Sequence, residues 1–136
     1  MKRVMGIDIG EKRIGVAVSD PLGITAQGIE TYMRKGENDA YYIVERARGL
    51  GAQLIVAGLP LNMNGSEGPS AQKAREFMAE VNALGMPSVF VDERLTTVSA
   101  ERMLIDADVS RKKRRQVVDK IAAVYILRTY LDTHQL

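Results

Sequence analysis

The 136-residue chain has no cysteine, no tryptophan and a single histidine. Without cysteine it forms no disulfide, offers no thiolate nucleophile and cannot build a cysteine-ligated zinc or iron–sulfur centre. The one histidine, His134, lies near the end of the last helical stretch, which argues against a histidine-dependent hydrolase. Two Phe and five Tyr are too few for an aromatic platform on which single-stranded nucleic acid could stack. No apolar run approaches the length of a membrane span, and no basic, apolar and small-residue leader opens the sequence. A cytoplasmic protein that makes no membrane contact is expected. A hydrophobic content of 46% with 26% charged residues suits a single globular domain covering residues 1–136.

Net charge is also scarce, at +2, but it is unevenly placed. Between Arg111 and Leu136 there are seven Lys/Arg and two Asp, so the first 110 residues are net acidic. The excess lies in one run, Arg111-Lys112-Lys113-Arg114-Arg115. Such a run attracts polyanions, nucleic acid first among them.

Val- and Ile-rich segments at 3–9 and 13–19 flank Gly10-Glu11-Lys12 and read as a hairpin. After the turn Asp20-Pro21-Leu22-Gly23, residues 24–34 form a third strand, with Gly28 marking a bulge. Asn38 or Asp39 caps a helix with Tyr42, Ile43, Ala47 and Leu50 on one face, ended by Gly51. The nearly continuous apolar run 53–59 is a strand buried on both faces. A loop at 60–69 follows, and Ser70 caps a helix carrying Ala74, Phe77, Met78, Val81 and Leu84. A strand over 87–91 delivers Asp92, Glu93 and Arg94. Thr96 or Thr97 then caps a helix to about Ala107, which Asp108-Val109-Ser110 breaks. The last helix runs from near Arg111 to about Thr133 and presents Val117, Val118, Ile121, Ala122, Tyr125 and Ile126. The order predicts an α/β fold: a five-stranded mixed sheet, three strands in an antiparallel meander and two added in parallel through helical crossovers.

Asp8 ends the first strand, and Asp92 and Glu93 end the fifth. A carboxylate at the end of a core strand must be paired, hydrogen-bonded or metal-bound. Gly6 and Gly10 beside it lack side chains and so leave room for a ligand. In the predicted topology these strand ends share one edge of the sheet, where α/β proteins place their ligands. Asp119, one turn before Ala122 and Ala123, is positioned to face the same edge. Three converging carboxylates repel one another or demand a cation, and an all-oxygen set selects Mg²⁺ or Mn²⁺. A pair of such ions about 4 Å apart activates water against a phosphodiester. Alternation places Glu93 and Asp92 on opposite faces of their strand and leaves open which of them meets Asp8.

Four stretches, GIDIGEKRIGVAVSD at 6–20, IVAGLPLNMNGSEG at 55–68, VDERLTT at 91–97 and VDKIAAVYIL at 118–127, resemble the YqgF/RuvX family in order along nearly the whole chain. The resemblance implies a ribonuclease H-like fold and an acidic catalytic set of Asp8, Glu93 and Asp119 with divalent metal. It further implies nuclease processing of the 16S ribosomal RNA precursor at its 5′ end, with Holliday junction cleavage as the family's alternative activity. The basic run Arg111 to Arg115 is denser than the family requires. It opens the helix that carries Asp119, where the helix dipole disfavours cations, and a bound polyanion would relieve that conflict. Arg94 is a candidate for holding the scissile phosphate, and Asn62 and Asn64 in the 60–69 loop are candidate donors to phosphate or base.

Two rival functions remain on sequence grounds. An ATP-binding module of the actin and sugar-kinase type also begins with an Asp–Gly hairpin, but it needs a duplicated domain. A non-catalytic RNA-binding factor would use the basic helix alone and leave the three acids without a role. RNA trimming requires one site, whereas paired junction cuts require two, so both monomer and homodimer stay open.

Overall fold

The computed structural model describes residues 3–92 and 111–133, the side chains of 111–119 excepted. Three strands, β1 (Arg3–Ile9), β2 (Arg13–Ser19) and β3 (Ala26–Met33), form the antiparallel meander. Helix α1 (Asp39–Gly49) leads to β4 (Ala52–Leu59), which lies parallel to β1. Helix α2 (Pro69–Ala83) leads to β5 (Ser88–Asp92), parallel to β4, and helix α3 (Arg111–Thr133) completes the described elements. The sheet order is β3-β2-β1-β4-β5, the mixed five-stranded sheet that the sequence predicted. The expected helix ending near Ala107 lies outside the described residues.

Alternation divides the sheet into two faces. On one, Met5, Ile7, Ile14, Val16, Ile55 and Ala57 pack against Ile43, Val44 and Ala47 of α1 and Phe77, Met78 and Val81 of α2. On the other, Val4, Ala17 and Val56 pack against Ala123, Ile126, Leu127 and Leu131 of α3. Complete burial of a Leu or Ile side chain contributes about 1.5–3 kcal/mol, so each layer is anchored by a few such residues. The buried stripe of α3 is rotated from the expected one: Ala123 and Leu127 are fully buried, whereas Ile121 and Tyr125 are only half-buried. Val117 and Val118 carry side chains outside the description.

The bulge expected at Gly28 is present. Val16 pairs with Glu30 and Ala17 with Gly28, leaving Ile29 as the extra residue of β3. Strand β3 is shorter than expected because the Asp20 carboxylate holds the preceding turn, accepting from Ile24 N at 2.8 Å and Thr25 N at 3.3 Å. Helix α2 begins earlier than expected. Gly68 is its N-cap and Pro69 its first residue, so Ser70 falls inside the first turn. Leu84, expected on the apolar face of α2, is instead the partly exposed C-cap.

At α1 both expected capping residues act, in different ways. Asn38 occupies the N-cap position in a left-handed conformation (φ 59°) and makes no side-chain cap bond. The Asp39 carboxylate reaches back instead, accepting from Lys35 N (3.0 Å), Gly36 N (3.2 Å), the Tyr32 hydroxyl (2.9 Å) and Arg34 Nε (3.2 Å). Burial on its own raises the Asp39 pKa, but these four donors outweigh it and hold the carboxyl below its ordinary value. Arg34 also donates to Gly10 O at 2.9 Å and lies over the Phe77 ring. The β1–β2 turn, the start of α1 and the middle of α2 are thereby tied to one guanidinium.

Candidate functional site

Asp8 is the penultimate residue of β1 and is half-buried at the carboxyl edge of the sheet. It shares a face with Val4 and Gly6, the face covered by α3. Its partner on β2 is Gly15. On β4, Ala57 pairs with Ile7, so Gly58 follows as the residue level with Asp8. The carboxylate therefore stands between two strands that present no side chain beside it. The two flanking residues are Gly15 and Gly58, which the sequence reading did not single out. The signal that could have found them was the pairing of GID with the glycines of RIGVAV and IVAGL.

The glycines that the sequence did single out do other work, and this corrects the expectation that Gly6 and Gly10 make room for a ligand. A Cβ on Gly6 would sit 2.7 Å from Leu127 Cβ and 2.9 Å from Ala123 O, so the space above Gly6 is filled by α3. A Cβ on Gly10 would sit 2.6 Å from Arg13 O, against the hairpin backbone, and Gly10 N donates to that same oxygen at 2.8 Å. Gly6 is the seat of a helix and Gly10 the close of a turn.

The contact at Gly6 fixes where α3 crosses β1. Ala123 touches Gly6, Asp8 lies two residues along on the same face of β1, and Asp119 lies one turn before Ala123 on α3. Lys120, next to Asp119, lies against Gly28 of β3. The side chain of Asp119 lies outside the described residues.

Strand β5 resolves part of the ambiguity at its end. Phe90 packs with the α1/α2 core and Val91 with the α3 core. Asp92, which pairs with Leu59, therefore belongs to the face opposite Asp8 and is exposed. Glu93 and Arg94 lie outside the described residues. Among the described residues, no three acidic, histidine or cysteine side chains form a group that would hold a metal ion. The donor offered at Asp8 is a carboxylate on a glycine-cleared strand end, chemistry that fits a hard divalent cation.

The segment between β4 and α2 is a small closed hairpin. Leu61 and Glu67 form a bridge, Asn62 N donates to Ser66 O at 2.8 Å, and Gly65 N donates to Asn62 O at 2.8 Å. Asn62 Nδ2 donates to Ser66 Oγ at 3.0 Å, and Asn64 Oδ1 accepts from Ser66 N at 3.0 Å and Ser66 Oγ at 2.6 Å. Both asparagines thus have a structural role in the loop. Glu67 clamps the loop onto α2 through a two-pronged pair with Arg75 at 2.6 and 2.8 Å, and Arg75 lies over the Phe90 ring. Hydrogen bonding from Arg75 holds the Glu67 carboxyl below its ordinary pKa. Because β4 is parallel to β1, this loop rises from the same sheet edge as Asp8.

The basic run Arg111 to Arg115 forms the first turns of α3, the helix that carries Asp119; its side chains are not described. No helix among the described residues is long and apolar enough to cross a membrane.

Comparison with known proteins gives this arrangement a family. The protein is 53% identical over 132 residues to a Syntrophomonas wolfei protein named "Putative pre-16S rRNA nuclease", covering 96% of this chain and 94% of the relative. A Moorella thermoacetica protein of the same name is also 53% identical, with the same coverage. Among solved structures, Thermus thermophilus RuvC in complex with a Holliday junction substrate matches with a TM-score of 0.63 and 12% identity, over 98% of this chain and 95% of RuvC. At that identity the likeness establishes the fold, which is ribonuclease H-like. A family profile described as "RuvX: Holliday junction resolvase" matches residues 2–133, so the chain belongs to the RuvX family.

Proposed function

We propose that this protein is a nuclease that hydrolyses phosphodiester bonds of precursor 16S rRNA near its 5′ end, with divalent metal as cofactor. The observation that carries the reading is Asp8: a half-buried carboxylate at the carboxyl edge of β1, flanked by glycine on both neighbouring strands and on the face covered by the helix that bears Asp119. The names carried by relatives at 53% identity supply the substrate.

Asp8, Glu93 and Asp119 would hold Mg²⁺ or Mn²⁺. Asp92 belongs to the opposite face, which supports Glu93 as the third acid of the set. When bound, one or two such ions would supply an activated water and stabilise the leaving oxygen. The chain's own groups do the rest. The backbone at Asp8 is held by pairing with Gly15 on β2, so the position of this acid along the strand end is set before substrate arrives. Arg94 would neutralise the scissile phosphate, and the run Arg111 to Arg115 would grip neighbouring phosphates and set the register of the strand.

A second reading, cleavage of four-way DNA junctions, is favoured by the family's description and by the junction bound to RuvC. Purified protein offered precursor 16S RNA beside a four-way junction in Mg²⁺ or Mn²⁺ separates the two. RNA cleavage is expected, with Asp8→Asn folded, still able to bind RNA and inactive. Cleavage of the junction alone would transfer the assignment to the second reading. Undiminished RNA cleavage by Asp8→Asn would remove Asp8 from catalysis.

A further inference from the structure

We propose that Arg34 is a positioning residue of the nuclease site, holding the turn between β1 and β2 and through it the strand end that carries Asp8. The inference rests on the nuclease reading above and deepens it. Asp8 stands two residues before Gly10, where that turn begins. Arg34 grips the turn at both ends: its Nη1 donates to Gly10 O at 2.9 Å, and its backbone N donates to Lys12 O at 2.9 Å. Gly10 N closes the same turn on Arg13 O at 2.8 Å. The guanidinium is itself held. Its Nε donates to the Asp39 carboxylate at 3.2 Å, and the group lies over the Phe77 ring. Asp39 is buried and also accepts from Lys35 N, Gly36 N and the Tyr32 hydroxyl, which fixes the carboxylate that fixes Arg34.

The turn borders an open groove of about 630 Å³, lined by Glu11, Lys12, Met33, Lys73 and Phe77, so it has room to shift once released. Glu11 lies 3.5 Å from Lys73, but both side chains are largely exposed, and such a pair is a weak restraint. Arg34 works from the α1/α2 layer, whereas Asp8 belongs to the face under α3. Its charge is answered by Asp39, and its Nε, Nη1 and ring face are engaged, so it acts through the backbone it holds rather than on a phosphate. A displacement of about 1 Å at a catalytic group can cost roughly 100-fold in rate. A held turn two residues from the carboxylate is therefore a functional element.

The test uses the full-length protein with Arg34→Gln, Arg34→Lys and, as a control, Arg46→Gln, which breaks a pair at 2.9 Å between α1 and Glu30 of β3 without touching the turn. Lysine keeps the charge but not the planar fork that reaches two acceptors at once, so it separates the hold on the turn from the stability of the fold. Hydrogen exchange at Gly10 N should quicken about ten-fold in both Arg34 variants and stay unchanged in Arg46→Gln. In both Arg34 variants kcat on precursor 16S RNA should fall roughly ten-fold, with KM within about two-fold of the parent, the pattern of lost transition-state geometry rather than lost binding. Arg46→Gln should keep the parent's kcat wherever it is folded. Unchanged Gly10 exchange, unchanged kcat, or an equal loss of kcat in Arg46→Gln would overturn the positioning role while leaving the nuclease reading intact. A parent that cut neither RNA nor a junction would overturn the nuclease reading, and the positioning role with it.

Discussion

Two glycines beneath the same helix should respond in opposite ways to a single methyl group. Gly6 and Gly28 both lie on the face covered by α3. At Gly6 an added Cβ meets Leu127 Cβ at 2.7 Å and Ala123 O at 2.9 Å, with Leu127 Cα at 3.3 Å. Two of these three atoms are backbone and the third is the Cβ of a fully buried residue, so no rotamer change relieves the overlap. The helix must lift, and overpacking of this kind costs about 1–3 kcal/mol. At Gly28 the nearest atoms are Lys120 Cβ at 3.5 Å and Val124 Cγ2 at 3.7 Å, ordinary van der Waals contact. Gly28→Ala therefore adds contact and removes freedom from the unfolded chain, and should stabilise by up to about 1 kcal/mol. Urea denaturation of both variants against the parent provides the check. Since α3 also carries Asp119, Gly6→Ala should lose nuclease activity in conditions where it is still fully folded, while Gly28→Ala keeps it. A Gly6→Ala variant within about 0.5 kcal/mol of the parent and fully active would refute the close approach of α3 to β1.

Two further outcomes are expected. Replacing Arg111 to Arg115 by neutral residues should weaken RNA binding and flatten its log–log salt dependence by up to about 3.5 for five lost phosphate contacts; an unchanged slope in a salt titration would place the phosphate contacts elsewhere. Asp39→Asn should destabilise the fold by roughly 1.5–3 kcal/mol, since it removes a charged acceptor from four hydrogen bonds. The folded pKa of Asp39 is depressed, so its contribution is fully present above the unfolded value of about 3.9 and is lost as pH falls through the lower folded value. Stability measured from pH 6 down to pH 2 should accordingly fall less steeply in Asp39→Asn than in the parent.

The strand order and the crossovers were legible because apolar period and turn chemistry agree along most of this chain. The continuous run QLIVAGL marks β4 as buried on both faces, and GEK and DPLG mark the hairpin turns. What escaped the sequence was what each small or polar residue does. Gly6, Gly10, Gly15 and Gly58 look alike in one dimension. Only pairing and helix docking separate Gly6 and Gly10, which admit backbone, from Gly15 and Gly58, which flank Asp8 on the neighbouring strands. Ser70 looked like the helix cap because its hydroxyl suits the position, yet Pro69, with no N–H to satisfy, begins the helix two residues sooner. The buried stripe of α3 was misjudged toward Tyr125 for a similar reason. Helical spacing fixes a face only to within about one residue, and the glycine at position 6 decides which residues, Ala123 and Leu127, come closest.

The choice between Asp92 and Glu93 shows where the decisive information resides. Strand alternation alone makes the two acids equivalent, one on each face. The core places Asp92 through its apolar neighbours: Phe90 joins the cluster under α1 and α2, and Val91 joins Ala123, Ile126 and Leu127 under α3, so Asp92 lies opposite Asp8, while Glu93 lies outside the described residues. Asp8 belongs to the α3 face because Gly6, two residues before it, carries the helix. The face of the exposed Asp92 is thus set by the packing of its neighbours Phe90 and Val91. A volume change at Val91 or Leu127 would for this reason act on the site through the relative position of β1, β5 and α3, without altering any charged group.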